Sequence, residues 1–497
     1  LLDNTISISG SDLTVNEVCS VASKVAKVRL AEHVYSNVEK GHRYVLKILE
    51  EKRRVYGVTT GFGSLASKNI SSSEASELQR NLIISHAAGV GSPLPKDVVR
   101  ASMILRLNTL VKGYSGVAPR TVELITEFLN RDIVPVVPEH GSLGASGDLA
   151  PLAHIALTLT GRGNVFYKGE ILSSSEVLKR EGLKPIELEP KEGLALINGT
   201  QVTTAFACLA IDEAYRLIEA FESAACLTIE ALGSNTQFFD KRLHLMRPLQ
   251  GQMECANAFL EKLSDSLAVN KSNRVQEPYS IRCIPQVHGA AREMLRFVEE
   301  LVSVEINSVT DNPALLPDDD VVLSGGNFHA QPIAMALDAL LIALTPLGVL
   351  SERRMERLLN TEHSGLPAFL APKSGLNSGY MLAQYTSASL LAENRVLSHP
   401  ASVDTADVSA GQEDHASMGF LAGKKLLRGI DNLWYVAAAE TLCAVQAVDL
   451  AGVAAKLGKA SLRIYSQIRG AVPKLESDVI VGSQIETVKE VIRANRP

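Results

Sequence analysis

The sequence predicts a mainly α-helical protein: a loop-rich, mixed N-terminal domain over residues 1–199, then a long-helix bundle over 200–497. Three observations carry this. Residue usage is helix-friendly, rich in Ala, Leu, Glu and Ser, with aromatics at 5%. Apolar residues recur at helical spacing without a break over 201–232, a longer run than an ordinary globular helix. The N-terminal part, by contrast, is interrupted by glycine and proline at short intervals.

In chain order, residues 13–51 show mixed helical periodicity with charged faces, as in an outer helical layer. Residues 55–64 break it with three glycines in seven positions, a turn-rich loop whose obvious chemical group is Tyr56. Helices are expected over 73–89, 97–112 and 118–130. Residues 165–172 read as a hairpin turning at Lys168-Gly169, and 184–192 as a loop with Pro185 and Pro190. Long helices follow at 201–232, 284–308, 335–359, 378–397 and 416–455, with Asp311-Asn312-Pro313 as a stop after the second. Helices this apolar bury one another in a bundle, and a homo-oligomer sharing its core across copies accounts for the surplus. The best membrane candidate, 333–350, is interrupted by Asp338 and Pro346 and reads as a core helix.

A net charge of -6 argues against a nucleic-acid or anionic-membrane binder. Six cysteines lie scattered with no CxxC pair, which fits free thiols in a reducing compartment better than a disulfide frame or zinc site. The first residues carry no basic stretch followed by an apolar core, so a cytoplasmic protein is expected.

Five polar stretches stand out. In Gly141–His154, the small residues Ala145-Ser146-Gly147 allow close backbone approach, while Ser146 or Asp148 could simply cap the following helix. Asn198, in Asn-Gly-Thr-Gln, could likewise cap the long helix. Gln276, Tyr279 and Arg282 recur every third residue, so a tight turn could aim them together, and an arginine fork suits a carboxylate. The alternative is a surface loop with an ion-paired arginine. Ser324–His329 is a glycine-rich turn feeding a helix, without a nucleotide fingerprint. Gln412-Glu413-Asp414-His415 reads as a helix start, where the dipole favours acidic residues. No metal is expected there, because Asp414-His415 lack a second ligand at helical spacing.

In this order the stretches resemble the aromatic amino-acid ammonia-lyase family, from Val55 to about Met418. Gly144-Ala145-Ser146-Gly147-Asp148-Leu149-Ala150-Pro151-Leu152 is similar to the family signature. There the Ala-Ser-Gly tripeptide cyclises, loses water and becomes a methylidene-imidazolone electrophile, with no external cofactor. Tyr56 in Tyr-Gly-Val-Thr-Thr-Gly-Phe-Gly, Asn198, the Gln276/Tyr279/Arg282 set and Phe328 in Gly-Gly-Asn-Phe-His match as well. Ser85-His86 and Gln412–His415 resemble the histidine-acting branch, where the glutamate faces the imidazole. Thr59 stands where an asparagine is common, and His329-Ala330-Gln331-Pro332 departs from the usual Gly-Glu-Pro form.

The resemblance implies a fumarase/aspartase-like helical architecture, a homotetramer and elimination of ammonia from L-histidine to give trans-urocanate. It gives Tyr279 the general-base role, Arg282 and Asn198 the carboxylate, and Tyr56 the amine or a proton relay. His86 and Glu413 would bind the imidazole, and Gln276 and Phe328 would support the electrophile and ring. A tyrosine ordinarily titrates near ~10, so a tyrosine base needs nearby positive charge or helix N-termini. Rival readings are a tyrosine or phenylalanine lyase, an aminomutase, a relative that uses a mobile loop instead of an internal electrophile, and a helical scaffold without activity.

Overall fold

The computed structural model describes residues 4–494, and it is mainly helical, as expected. Contacts divide the chain into two compact units, neither continuous in sequence. The first is built from the chain up to Asp212 with Val298–Leu337 and Pro400–Lys424. The second comprises Glu213–Phe297, Asp338–His399 and the chain from Lys425 onward.

Helix Val15–Ala22 of the first unit opens with a capping box, in which Glu17 N–H donates to Thr14 Oγ1 and Thr14 N–H to the Glu17 carboxylate. A parallel pair of four-residue strands, Thr5–Ile8 and Lys27–Leu30, brackets it before helix Val34–Glu50. The helical reading of 13–51 missed Lys27–Leu30, because a strand this short disturbs little of the flanking periodicity. The hairpin forms as expected from Asn164–Tyr167 and Glu170–Ser173. Short helices Ser174–Glu181 and Glu192–Ile197 were not anticipated; the second is wholly buried.

Helix Lys96–Leu110 forms the centre of this unit, with every residue from Val98 to Leu110 buried. Such a helix must satisfy its polar side chains internally. Arg100 donates to the Val21 and Leu129 carbonyls, and Asn108 to the Ile306 carbonyl. Lys191 and Asp311, both fully buried, pair at 2.8 Å.

In the second unit, Cys226, Ile229, Phe239, Cys255, Phe259 and Ile284 belong to one apolar cluster. Phe239 and Phe259 stack within it at 4.7 Å. Arg354 grips Glu440 through two bonds of 2.6 and 2.7 Å, and Thr228 Oγ1 donates to the same carboxylate. This bidentate geometry satisfies charges that burial would otherwise penalise.

Helices Gln201–Ala231, Ile284–Glu305, Gln331–Leu359, Met381–Leu397 and Gly419–Ala451 match the expected long helices within a few residues. Gln331–Leu359 continues through Pro346, which interrupts less than the sequence implied. By length and composition, Gln331–Leu359 and Gly419–Ala451 could cross a membrane, but most of their apolar residues are buried inside the protein. One expectation fails: 412–415 is not a helix start. Glu413 bridges Val408 in a loop, and the helix begins at Gly419.

Candidate active site

The Ala145-Ser146-Gly147 turn is clamped by the chain around Asn198 and by Ser417-Met418. Gly147 forms an isolated parallel bridge with Gly199, and Asp148 N–H donates to the Gly199 carbonyl at 2.8 Å. On the other side, Ser417 Oγ donates to the Gly144 carbonyl at 3.1 Å and Met418 N–H to the Leu143 carbonyl at 2.9 Å. Gly147 has φ +72°, and a Cβ there would lie 2.3 Å from the Gly199 carbonyl oxygen. Only glycine fits.

Neither capping reading holds. Asp148 occupies the N-cap position of helix Leu149–Leu159, yet its side chain caps nothing. Its carboxylate, fully buried, accepts instead from Thr203 N–H at 2.7 Å and Thr203 Oγ1 at 2.8 Å. Burial lifts its pKa from 3.8 to about 6, against the pull of those donors. Asn198 ends helix Glu192–Ile197 rather than starting the long one. Its Nδ2 donates to the Ser146 carbonyl oxygen at 2.9 Å and to Ser146 Oγ at 3.0 Å, and its buried Oδ1 has no hydrogen-bond partner among the described residues.

Arg106, which the sequence reading passed over, fixes Asn198 in turn. Its Nη1 donates to the Asn198 carbonyl and to Gln201 Oε1, both at 2.9 Å, and its Nη2 to the Ala195 carbonyl. Burial lowers its pKa to about 10, partly offset by Asp311. Its signal was an arginine inside the apolar run Met103-Ile104-Leu105-Arg106-Leu107.

Ser146, Asn198, Tyr56, His86 and Glu413 line one cavity of about 460 Å3 in the first unit. Leu78 and Leu82 of helix Ala75–His86, with Leu149, Leu194 and Ile197, supply apolar wall. The Tyr56 hydroxyl accepts from Gly63 N–H at 3.0 Å, and its ring meets Phe62 edge to face. Burial raises the Tyr56 pKa, with the Glu413 carboxylate adding to the rise, so its proton stays on oxygen. Burial also raises Glu413. It holds His86 below the ordinary histidine range, partly offset by the Leu82 backbone. His86 is therefore neutral at pH 7.

Ser85 and the Leu82 backbone both bear on which nitrogen of His86 carries the proton. Its Oγ donates to the Leu82 carbonyl at 3.1 Å and lies 3.1 Å from His86 Nδ1. With the hydroxyl proton committed to Leu82, Nδ1–H becomes the donor to Ser85, and Nε2 presents a lone pair.

Phe328 lies in the first unit but outside this lining; the neighbouring His329 approaches His415, Nε2 to Nδ1, at 3.2 Å. Gln276, Tyr279 and Arg282 belong to the second unit. There Pro278 precedes a single helical turn, Tyr279–Arg282, that leaves Tyr279 70% exposed with the Arg282 guanidinium 4.6 Å from its ring centre.

Residues 13–470 match the family model for aromatic amino acid lyases. The chain is 47% identical over 491 residues to a histidine ammonia-lyase of Caldanaerobacter subterraneus, covering 98% of this chain and 96% of the relative. Among solved structures it superposes on the histidine ammonia-lyase of Trypanosoma cruzi with TM-score 0.92 and 36% identity, covering 99% and 93% of the two chains. It also superposes on a tyrosine aminomutase of Streptomyces globisporus with TM-score 0.95 and 37% identity, covering 98% and 97%. The helical architecture is thus the fumarase/aspartase-like one.

Proposed function

The chain belongs to the aromatic amino acid lyase family, and from that premise we propose that it eliminates ammonia from L-histidine to give trans-urocanate, the opening step of histidine degradation. The supporting observation is the Ser146 turn held by Asn198, in one cavity with His86 and Glu413. The turn fits a methylidene-imidazolone formed from Ala145-Ser146-Gly147: Gly147 is pressed against Gly199 where no side chain fits, and Asn198 already grips Ser146. Once formed, the group supplies an electrophile for the substrate's α-amino group.

The chain's own residues do the rest. Asn198 and the Arg106 behind it hold the tripeptide in place. Tyr56, kept protonated by burial, positions the amine and can hand on a proton. His86 Nε2 and the Glu413 carboxylate both offer lone pairs, which suit the two N–H groups of a protonated imidazole and find nothing to bind on a phenyl ring. Tyr279 abstracts the β-proton and Arg282 binds the carboxylate, with Gln276 and Phe328 supporting the site. The active form is a homotetramer in which one site draws residues from several copies. Six cysteines, none joined in a disulfide among the described residues, favour a cytoplasmic setting.

A second reading has a specific basis in the likeness to the tyrosine aminomutase: the same electrophile with ammonia returned to the β-carbon. Ser146→Ala tests the electrophile itself. A folded variant without turnover or near-ultraviolet absorbance of the ring is expected, whereas wild-type turnover would end the proposal. Glu413→Gln tests the substrate. Histidine turnover should fall far more than phenylalanine turnover, and equal losses would remove the imidazole assignment.

A further inference from the structure

Helix Ala75–His86 has two working faces. Leu78, Asn81, Leu82, Ser85 and His86 face the candidate active site, while Ser76, Arg80, Ile83 and Ile84 line a second, larger cavity of about 550 Å3. The two sets fall on opposite sides of the helix by the 3.6-residue repeat. The far wall of the second cavity comes from Leu157 and the loop Pro185–Glu189.

We propose that this second cavity binds a small amphipathic anion, a carboxylate or phosphate on an apolar body, and through the shared helix tunes substrate binding at His86. The binding stands on its own; the tuning rests on the function proposed above.

Three arginines from separate elements line the cavity: Arg80, Arg120 and Arg162. Arg120 is already engaged, with Nη1 2.6 Å from Glu189 Oε1 and Nη2 donating to the Glu187 carbonyl at 2.7 Å. Arg80 and Arg162 make no ion pair or side-chain hydrogen bond among the described residues. Two carboxylates oppose them. Glu189 is shared between Arg120 and His42, and Glu187 has no ion partner among the described residues, so the lining keeps a surplus of positive charge. Between the guanidinium groups lies apolar surface from Ile83, Ile84, Leu157, Pro185, Ile186 and Leu188. Planar donors beside apolar surface recognise an anion carried on a hydrocarbon body.

Titration calorimetry on the full-length protein tests this with cyclohexanecarboxylate, phenyl phosphate and the neutral cyclohexanol. One of the two anions should bind at millimolar concentration or below and the alcohol should not; which anion binds identifies the head group. The double variant Arg80→Gln/Arg162→Gln, at two exposed positions, should weaken binding by about tenfold or more while leaving basal turnover unchanged. Ser146→Ala should bind the anion as the wild type does. At saturating anion, KM for histidine should shift in the wild type and stay fixed in the double variant. Absence of heat from both anions, or equal affinity in the double variant, overturns the site. An unchanged KM overturns the tuning. Because calorimetry needs no turnover, failure of the proposed catalytic function would leave the binding result readable.

Discussion

Asn198 holds Ser146 by two atoms at once, its Nδ2 donating to the carbonyl oxygen at 2.9 Å and to Oγ at 3.0 Å. The grip is rigid because Asn198 is almost fully buried and its own carbonyl is pinned by Arg106. Removing both bonds with Asn198→Ala is expected to cost about 1–3 kcal/mol, or roughly five- to 150-fold in turnover. Steady-state kinetics beside a melting curve check this; a variant with wild-type turnover would show that Ser146 needs no such hold.

Gly147→Ala should be far harsher. A residue with a side chain is strained by about 1–2 kcal/mol at a left-handed φ, and here the added carbon would also press against the Gly199 carbonyl, a backbone atom that cannot swing away. A fall in melting temperature of several degrees is expected, with loss of the ring's near-ultraviolet absorbance. Gly182, equally left-handed but with open space around it, is the control: Gly182→Ala should cost only the conformational strain.

Ser85→Ala loosens the hold on the tautomer of His86. With no Oγ to receive Nδ1–H, the Leu82 backbone alone is left to favour the form whose Nε2 accepts, and the preference weakens. KM for histidine is expected to rise by about three- to tenfold, equivalent to roughly 1 kcal/mol, while phenylalanine kinetics stay unchanged. Equal changes for both substrates would show that Ser85 does not act through the imidazole.

Asp148 gives stability a pH dependence of known sign. Burial raises its pKa from 3.8 to about 6, so folding favours the protonated form. Its contribution is full below pH 3.8 and is lost as pH rises through about 6. By pH 7 the loss is on the order of 3 kcal/mol. The melting temperature of Asp148→Asn, measured against wild type, should therefore improve between about pH 4 and about pH 7. A constant difference across that range would mean that Asp148 stays ionised throughout.

The long helices were legible because their apolar periodicity runs for many turns; Gln201–Ala231 extends over 31 residues. Short elements were not, since Lys27–Leu30 and Glu192–Ile197 are too brief to establish a period. The Glu413 loop misled for a physical reason. Acidic residues just before an apolar run look like a helix first turn, but Ser409 and Ala410 adopt left-handed φ values and fold the chain back so that Glu413 pairs with Val408. Asp148 misled in the same way: it has the position of a cap, while its carboxylate is committed to Thr203, far along the chain. Arg106 carried no motif at all; its role depends on carbonyls of Ala195 and Asn198 that only the folded chain brings to it.

The most direct test incubates the purified protein separately with L-histidine, L-tyrosine and L-phenylalanine, and measures both released ammonia and the conjugated acrylate product. Urocanate with matching ammonia from histidine alone is the expected result. Coumarate or cinnamate would contradict the assignment of His86 and Glu413 to an imidazole, and a β-amino acid without free ammonia would contradict the elimination itself.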